Sequence, residues 1–239
     1  MRYFLTSSLC FYGKPEIDPS NGLMERLHAA LPDPIRGLLI CSDPNAHERT
    51  MFFGNEIKAG FENAGFSVAS YEFLDGQNAD RAKELLDRSN LIVLSGGHVP
   101  TQNRFFKQIR LKELLKTFDG TLIGISAGSM NCAKIVYAQP EEPGEAIDPS
   151  YVRFLPGLGL TETILLPHYQ AYRDDILDGL RVYEDITYPD SYGRCFYAIE
   201  DGGYLYGDGM GEWLFGAAYR IENGTLTPVL HGGESLRIR

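Results

Sequence analysis

The sequence has little cysteine, a single tryptophan, a deficit of positive charge and no long hydrophobic run. Its four cysteines, Cys10, Cys41, Cys132 and Cys195, form no Cys-x-x-Cys pair and each lies in or beside an apolar segment. That argues against a zinc cluster or a disulfide framework and for buried free thiols. Lysine and arginine number 22 against 32 aspartates and glutamates, a net charge of −10, which speaks against phosphate neutralisation and so against a nucleic-acid partner. The most basic stretch, Lys107 to Lys116, is interleaved with Phe105, Phe106, Ile109, Leu111, Leu114 and Leu115 and reads as the wet face of an amphipathic helix. No apolar run approaches the ~20 residues of a membrane span. Met1–Leu9 carries Thr6, Ser7 and Ser8 where a secretion signal would be apolar, so the expectation is a cytoplasmic chain without a membrane partner. Neither a Gly-x-x-x-x-Gly-Lys-[Ser/Thr] phosphate loop nor a Gly-x-Gly-x-x-Gly dinucleotide fingerprint occurs at a strand-to-helix turn.

What is present is a globular composition, 44% hydrophobic over 239 residues, which fits one domain spanning 1–239. Apolar runs at Tyr3–Leu9, Gly37–Ser42, Ser67–Phe73, Leu91–Ser95 and Thr121–Ile125 predict strands. Helical periodicity at Gly22–Leu31, His47–Ala64, Asp80–Arg88, Gln102–Phe118 and Gly128–Val136 predicts the helices between them. This alternation implies an α/β fold, a mostly parallel central sheet with helices on both faces. Gln139–Gly159, with four prolines and four acidic residues, reads as a lid or binding loop. A strand over Glu162–Pro167 and a helix over Asp174–Asp185 follow. Beyond Cys195 the pattern becomes short strands with glycine turns: Phe196–Ile199, Tyr204–Tyr206, Glu212–Ile221 and Leu226–Leu230, with Glu222-Asn223-Gly224 as a hairpin turn.

Gly124-Ile125-Ser126-Ala127-Gly128 fits Gly-x-Ser-x-Gly at a strand-to-helix junction, where a sharp turn lifts a serine above the carboxyl edge of a sheet. A serine hydroxyl needs a base. Of the five histidines, His168 ends an apolar strand and reaches the same edge, His98 follows Ser95-Gly96-Gly97 at another strand end, His28 and His47 lie in helical patterns, and His231 is near the C-terminus. Gly97 and Ala127 offer backbone N–H groups for an oxyanion hole. Glu200 and Asp201, adjacent on a turn after a strand, are both candidates for the carboxylate that orients the imidazole. Alternation along a strand allows only one of them to reach it.

The ordered set Ser95-Gly96-Gly97, Gly124-Ile125-Ser126-Ala127-Gly128, Pro167-His168-Tyr169 and Ile199-Glu200-Asp201-Gly202 resembles the peptidase E family of aspartyl dipeptidases and, more distantly, cyanophycinase. The resemblance implies the class I glutamine amidotransferase-like fold, with Ser126 as nucleophile, His168 as general base, Gly97 and Ala127 at the oxyanion, and the acid at Asp201, where the family usually has glutamate. Gln170 stands where amidotransferases carry glutamate, which disfavours glutaminase chemistry. Arg173 occupies the region from which the family's arginine clamps an N-terminal aspartate.

The expected function is a serine peptidase acting on short peptides, an exopeptidase or dipeptidase, with no metal and no cofactor. His98, Gln102, Asp148, Gln170 and Arg173 are its expected substrate-binding residues, Asp148 receiving a free α-amino group. A homodimer is compatible with the sequence. Two alternatives stand beside this reading: an α/β-hydrolase esterase, which requires His231 as base, and a non-catalytic metabolite-binding protein on the same fold.

Overall fold

The computed structural model describes residues 1–239. Its elements, in chain order, begin with β1 (Arg2–Thr6), α1 (Leu23–Ala30), β2 (Ile35–Ile40), α2 (His47–Asn63), β3 (Val68–Leu74), α3 (Ala82–Arg88) and β4 (Leu91–Leu94). They continue through α4 (Val99–Gln108), α5 (Leu111–Leu114), β5 (Thr121–Ile125), α6 (Ala127–Met130), β6 (Ile135–Tyr137), β7 (Phe154–Pro156) and β8 (Ile164–Leu166). After α7 (Tyr169–Tyr172) come β9 (Ile176–Leu177), β10 (Leu180–Arg181), a π-helical turn (Val182–Thr187) and α8 (Tyr188–Asp190). The chain ends with β11 (Cys195–Ile199), β12 (Tyr204–Gly207), β13 (Glu212–Phe215), β14 (Ala218–Glu222), β15 (Thr225–Leu230) and β16 (Ser235–Arg237).

The central sheet has eight strands in the order β16-β13-β12-β1-β5-β4-β2-β3. From β1 to β3 the pairings are parallel; β12, β13 and β16 extend the sheet antiparallel. All four residues of β4 are buried, as a strand covered on both faces requires. One face packs Leu38, Ile40, Leu94, Leu122 and Leu205 against the helices α3 to α5. The other packs Phe4, Leu39, Val93 and Ile123 against α1, whose Leu23, Leu27 and Ala30 recur at helical spacing. A second sheet, β15-β14-β11-β8, pairs β8 parallel to β11. Here Tyr137 stacks on Phe196 at 4.7 Å in a third apolar cluster with Leu166 and Tyr183. No helix is long and apolar enough to cross a membrane.

Several expected elements are redrawn. The first strand ends at Thr6 rather than Leu9, which leaves Ser7 at the carboxyl edge. The helix expected over Gln102–Phe118 starts at Val99 and breaks at Arg110 (φ 55°), a kink that turns Leu111 and Leu115 into the core. The one expected over Gly128–Val136 stops at Met130, because the β-branched and aromatic Ile135-Val136-Tyr137 pairs with Phe154–Pro156 inside the supposed loop. Asp174–Asp185 holds no α-helix: Asp178-Gly179, both at positive φ, turns a hairpin between β9 and β10. The run Glu212–Ile221 divides at Gly216 (φ 87°), where the chain leaves one sheet for the other. The Asn223-Gly224 turn joins β14 and β15 antiparallel, as the sequence predicts.

Two glycines set the join between β5 and α6. A Cβ on Gly124 would lie 2.8 Å from the backbone N of Ser129, and one on Gly128 would overlap the Leu94 carbonyl oxygen and sit 2.8 Å from its carbon. Both clashes are with backbone, which cannot swing aside. Gly128→Ala should therefore destabilise the fold by about 1–3 kcal/mol, the cost of overpacking a filled interior. A shift of the urea unfolding midpoint to lower concentration checks this.

Candidate active site

Five strand ends converge at the carboxyl edge. Ser7 follows β1, Gly97 lies just beyond β4, Ser126 follows β5, His168 lies two residues past β8, and Asp201 two residues past β11. Open α/β sheets place their sites at this edge.

Ser126 holds φ 51°, ψ −116°, outside the regions comfortable for an L-residue. Such a conformation costs on the order of 1–3 kcal/mol and persists only where its surroundings enforce it. Here the end of β1 enforces it: the Thr6 carbonyl accepts both the Ser126 N–H (3.0 Å) and the Ser129 hydroxyl (2.8 Å). Thr6 Oγ1 in turn donates to the Gly124 carbonyl at 2.9 Å. The serine is thereby fixed at the base of a pocket of about 190 Å³ that His168, Gly97 and Ala127 also line.

His168 is itself left-handed (φ 59°, ψ 30°), and its N–H donates to Ser7 Oγ at 2.8 Å. Its Nδ1 meets Asp201 Oδ1 at 2.7 Å, a contact that a neutral imidazole makes through Nδ1–H and that leaves Nε2 as the ring's acceptor. Asp201 also receives Ser7 Oγ–H at 2.8 Å on Oδ1 and Gln170 Nε2–H at 2.6 Å on Oδ2. Burial opposes its charge, but these hydrogen bonds, led by that from His168, outweigh it and bring the carboxyl down to about 2. Glu200 faces away and accepts the Tyr219 hydroxyl at 2.9 Å. Of the adjacent pair, Asp201 is the residue that meets the imidazole.

The oxyanion side is built from β4 and α6. Gly97, at φ 148°, has a backbone that L-residues rarely adopt, and a Cβ there would overlap Ser42 Oγ. Its N–H has no partner in the fold. Ala127 is the first residue of α6, where an N–H lacks an intrahelical acceptor. Gln102 lies behind this loop and does not reach the pocket. Fully buried, it donates to the Ser95 carbonyl at 2.7 Å and accepts from Asn131 Nδ2 at 3.0 Å, tying the end of β4 to the elbow helix.

Four other expected substrate contacts are also relocated. Gln170 clasps Asp201, accepting its N–H at 3.1 Å while donating to its carboxylate, so it positions the acid. Asp148 caps Ser150 through its N–H (2.8 Å) and hydroxyl (2.7 Å), away from the pocket. Arg173 is exposed, pairs with Asp174 at 3.2 Å and does not line the pocket. His98 sits behind the wall, bonded to Thr101 (2.8 Å) and Glu145 (2.9 Å). His98, Glu142 and Glu145 bring potential ligand atoms within 4.8 Å of one another, but Glu145 is already engaged by His98 and by the Glu141 and Glu142 N–H groups. His231, the base an esterase order would need, lies in an exposed turn outside the pocket. Burial pushes the Cys41 thiol up to about 12 and Cys132 higher still, so these thiols are poor nucleophiles.

Sequence reasoning missed Ser7 and Asp175: Ser7 was hidden inside an over-long strand, and Asp175 lay in an expected helix. Within the acidic loop Gln139–Gly159 the sequence favours Asp148, whereas it is Glu141 that lines the pocket.

Residues 40–209 match the sequence model of peptidase family S51. The chain belongs to this family. The fold is similar to that of a peptidase from an acI-B1 actinobacterium, 20% identical, with a TM-score of 0.65 over 99% of this chain and 96% of that one. A candidate peptidase E from Listeria monocytogenes EGD-e is similar at 16% identity and a TM-score of 0.61, over 96% and 98% of the two chains. No curated protein matches the sequence.

In this S51 peptidase the geometry sets apart two neighbouring carboxylates. Asp201→Asn should lower kcat by about 10⁴, as when a catalytic histidine is held in the wrong tautomer, whereas Glu200→Gln should cost under about tenfold. Steady-state kinetics on the two variants checks this. The depressed Asp201 pKa also has a stability consequence: the contribution is complete above the unfolded-state value of about 3.9 and is lost as pH falls through about 2. Between pH 5 and pH 2 the urea midpoint of the wild type should fall further than that of Asp201→Asn.

Proposed function

We propose that this protein is a serine exopeptidase of short peptides, working through an acyl-enzyme on Ser126. The observation that carries the reading is the His168–Asp201 pair facing the same pocket as a serine held on a strained elbow. Ser126 Oγ attacks the scissile carbonyl carbon while His168 Nε2 takes its proton. The negative charge that develops on the carbonyl oxygen is met by the N–H groups of Gly97 and Ala127, which the fold leaves unpaired. His168 then returns the proton to the departing amine as the C–N bond breaks. Water next attacks the ester carbonyl, giving its proton to His168, and the acid leaves as Ser126 Oγ recovers that proton. Asp201 stays ionised throughout, holding the ring and stabilising the imidazolium.

The pocket's size and closure support short substrates. At about 190 Å³ it is smaller than the sites that take drug-sized ligands, which begin near ~300 Å³. The β9–β10 hairpin lines it with Ile176 and Leu177, and the loop Gln139–Glu141 lines it as well. Asp178 at the hairpin tip bridges them: its carboxylate accepts the Gly144 N–H at 2.9 and 3.0 Å and the Ala146 N–H at 3.1 Å.

A fluorophosphonate probe should add to the tryptic peptide that contains Ser126 and to no peptide of folded Ser126→Ala; a folded wild type that resists the probe would favour the metabolite-binding alternative. Asp178→Ala should raise kcat/KM for tetrapeptides relative to dipeptides by about tenfold, the equivalent of one lost charged hydrogen-bond cluster. An unchanged ratio would show that the bridge does not limit length.

A further inference from the structure

We propose that the pocket selects peptides with a protonated amino terminus and an apolar first side chain, with Glu141 and Asp175 as the ammonium contacts, so that it disfavours acidic first residues. The inference rests on the serine-peptidase reading and concerns the same pocket. It begins from the charges that face the reacting serine. Glu141 and Asp175 both line the pocket, and no lysine or arginine does. Nearby cations are committed elsewhere: Arg173 pairs with Asp174, and Arg153 holds both oxygens of Asp190 at 3.1 and 3.0 Å.

Both carboxylates have spare acceptor capacity. Glu141 Oε1 takes the Val99 N–H at 3.1 Å, while its second oxygen and both oxygens of Asp175 have no partner in the fold. Glu141 is exposed at the mouth, yet the protein around its carboxylate disfavours the charge and raises its pKa, the Val99 N–H only partly opposing this. An ammonium group placed against the two carboxylates would relieve that cost with charge-assisted hydrogen bonds. A substrate carboxylate there would meet like charge and no guanidinium fork to hold it. Half of the lining is hydrophobic, and Val99, Met130, Leu166, Leu177 and Val182 offer a surface suited to an aliphatic side chain. Asp178 ties the hairpin that follows Asp175 to the Gly144–Ala146 segment that follows Glu141, which holds the two acidic segments together.

The test measures alanine release from Leu-Ala, N-acetyl-Leu-Ala and Asp-Ala by the wild type, Glu141→Gln and Asp175→Asn. Fluorophosphonate labelling of Ser126 is recorded for each protein. Wild type should prefer Leu-Ala over both competitors by about ten- to a hundredfold in kcat/KM, the range of a hydrogen bond to a charged group. Each variant should shrink the preference for the free amine over its acetylated form by at least about tenfold, mainly through KM. Because Glu141 also holds the Val99 N–H, Asp175→Asn gives the reading that no local rearrangement there would mimic. Asp-Ala cleaved as well as Leu-Ala, no cleavage of Leu-Ala by a protein that takes the probe, or a free-amine preference unchanged in both variants would overturn the inference and leave the serine reading standing. Failure of the wild type to take the probe would overturn both.

Discussion

The Asp201 carboxylate is the point on which the site and the junction of the two sheets both depend. Ser7 reaches it from the end of β1 in the central sheet; His168 and Gln170 reach it from beyond β8 in the second sheet. The carboxylate is only partly shielded from water, and its donors outweigh that desolvation, bringing its pKa to about 2. Removing one donor would leave charge under-satisfied at the seam, so the same bonds that orient the imidazole also hold strands from two sheets at a fixed separation. Ser7 is central to this, since it donates to Asp201 and accepts the His168 backbone N–H.

Beside this hub the central sheet supplies a second constraint. The strained Ser126 is held by the last residue of β1, and its turn is possible only because Gly124 and Gly128 leave room for backbone on both sides. Adjacent residues of one strand end, Thr6 and Ser7, thus fix Ser126 and the His168–Asp201 pair respectively. The strain is local and the packing around it is not: β4 and β5 are among the most buried segments of the chain, which is what lets the fold sustain a conformation costing on the order of 1–3 kcal/mol.

The parallel sheet was legible because strands buried on both faces write themselves as unbroken apolar runs, and Leu91–Leu94 is such a run. The elbow was legible because its glycines answer to backbone contacts that no other residue tolerates. The acid could be narrowed to Glu200 or Asp201, of which strand alternation allows only one to reach the imidazole; the choice between them comes from the contacts, Asp201 meeting His168 and Glu200 turning to Tyr219. Where reading failed, long-range partners made the decision. Ser7 looks like strand until register ends β1 at Thr6; Gln102 looks like a polar residue at a helix start until Ser95 and Asn131 claim both ends of its amide. Arg173 follows His168 closely in sequence but points to Asp174, and the acidic groups that do line the pocket, Glu141 and Asp175, come from a loop and from the segment entering the Asp178-Gly179 hairpin, which a helical pattern had concealed.

If Ser7, His168 and Asp201 form one unit, their substitutions must be non-additive. A double-mutant cycle on kcat with Ser7→Ala and Asp201→Asn measures this directly. Ser7→Ala alone should reduce kcat, and adding it to Asp201→Asn should reduce kcat little further, because the carboxylate through which Ser7 acts has already lost its charge. Losses that multiply in the double variant would show that Ser7 acts independently of Asp201 and would contradict the account.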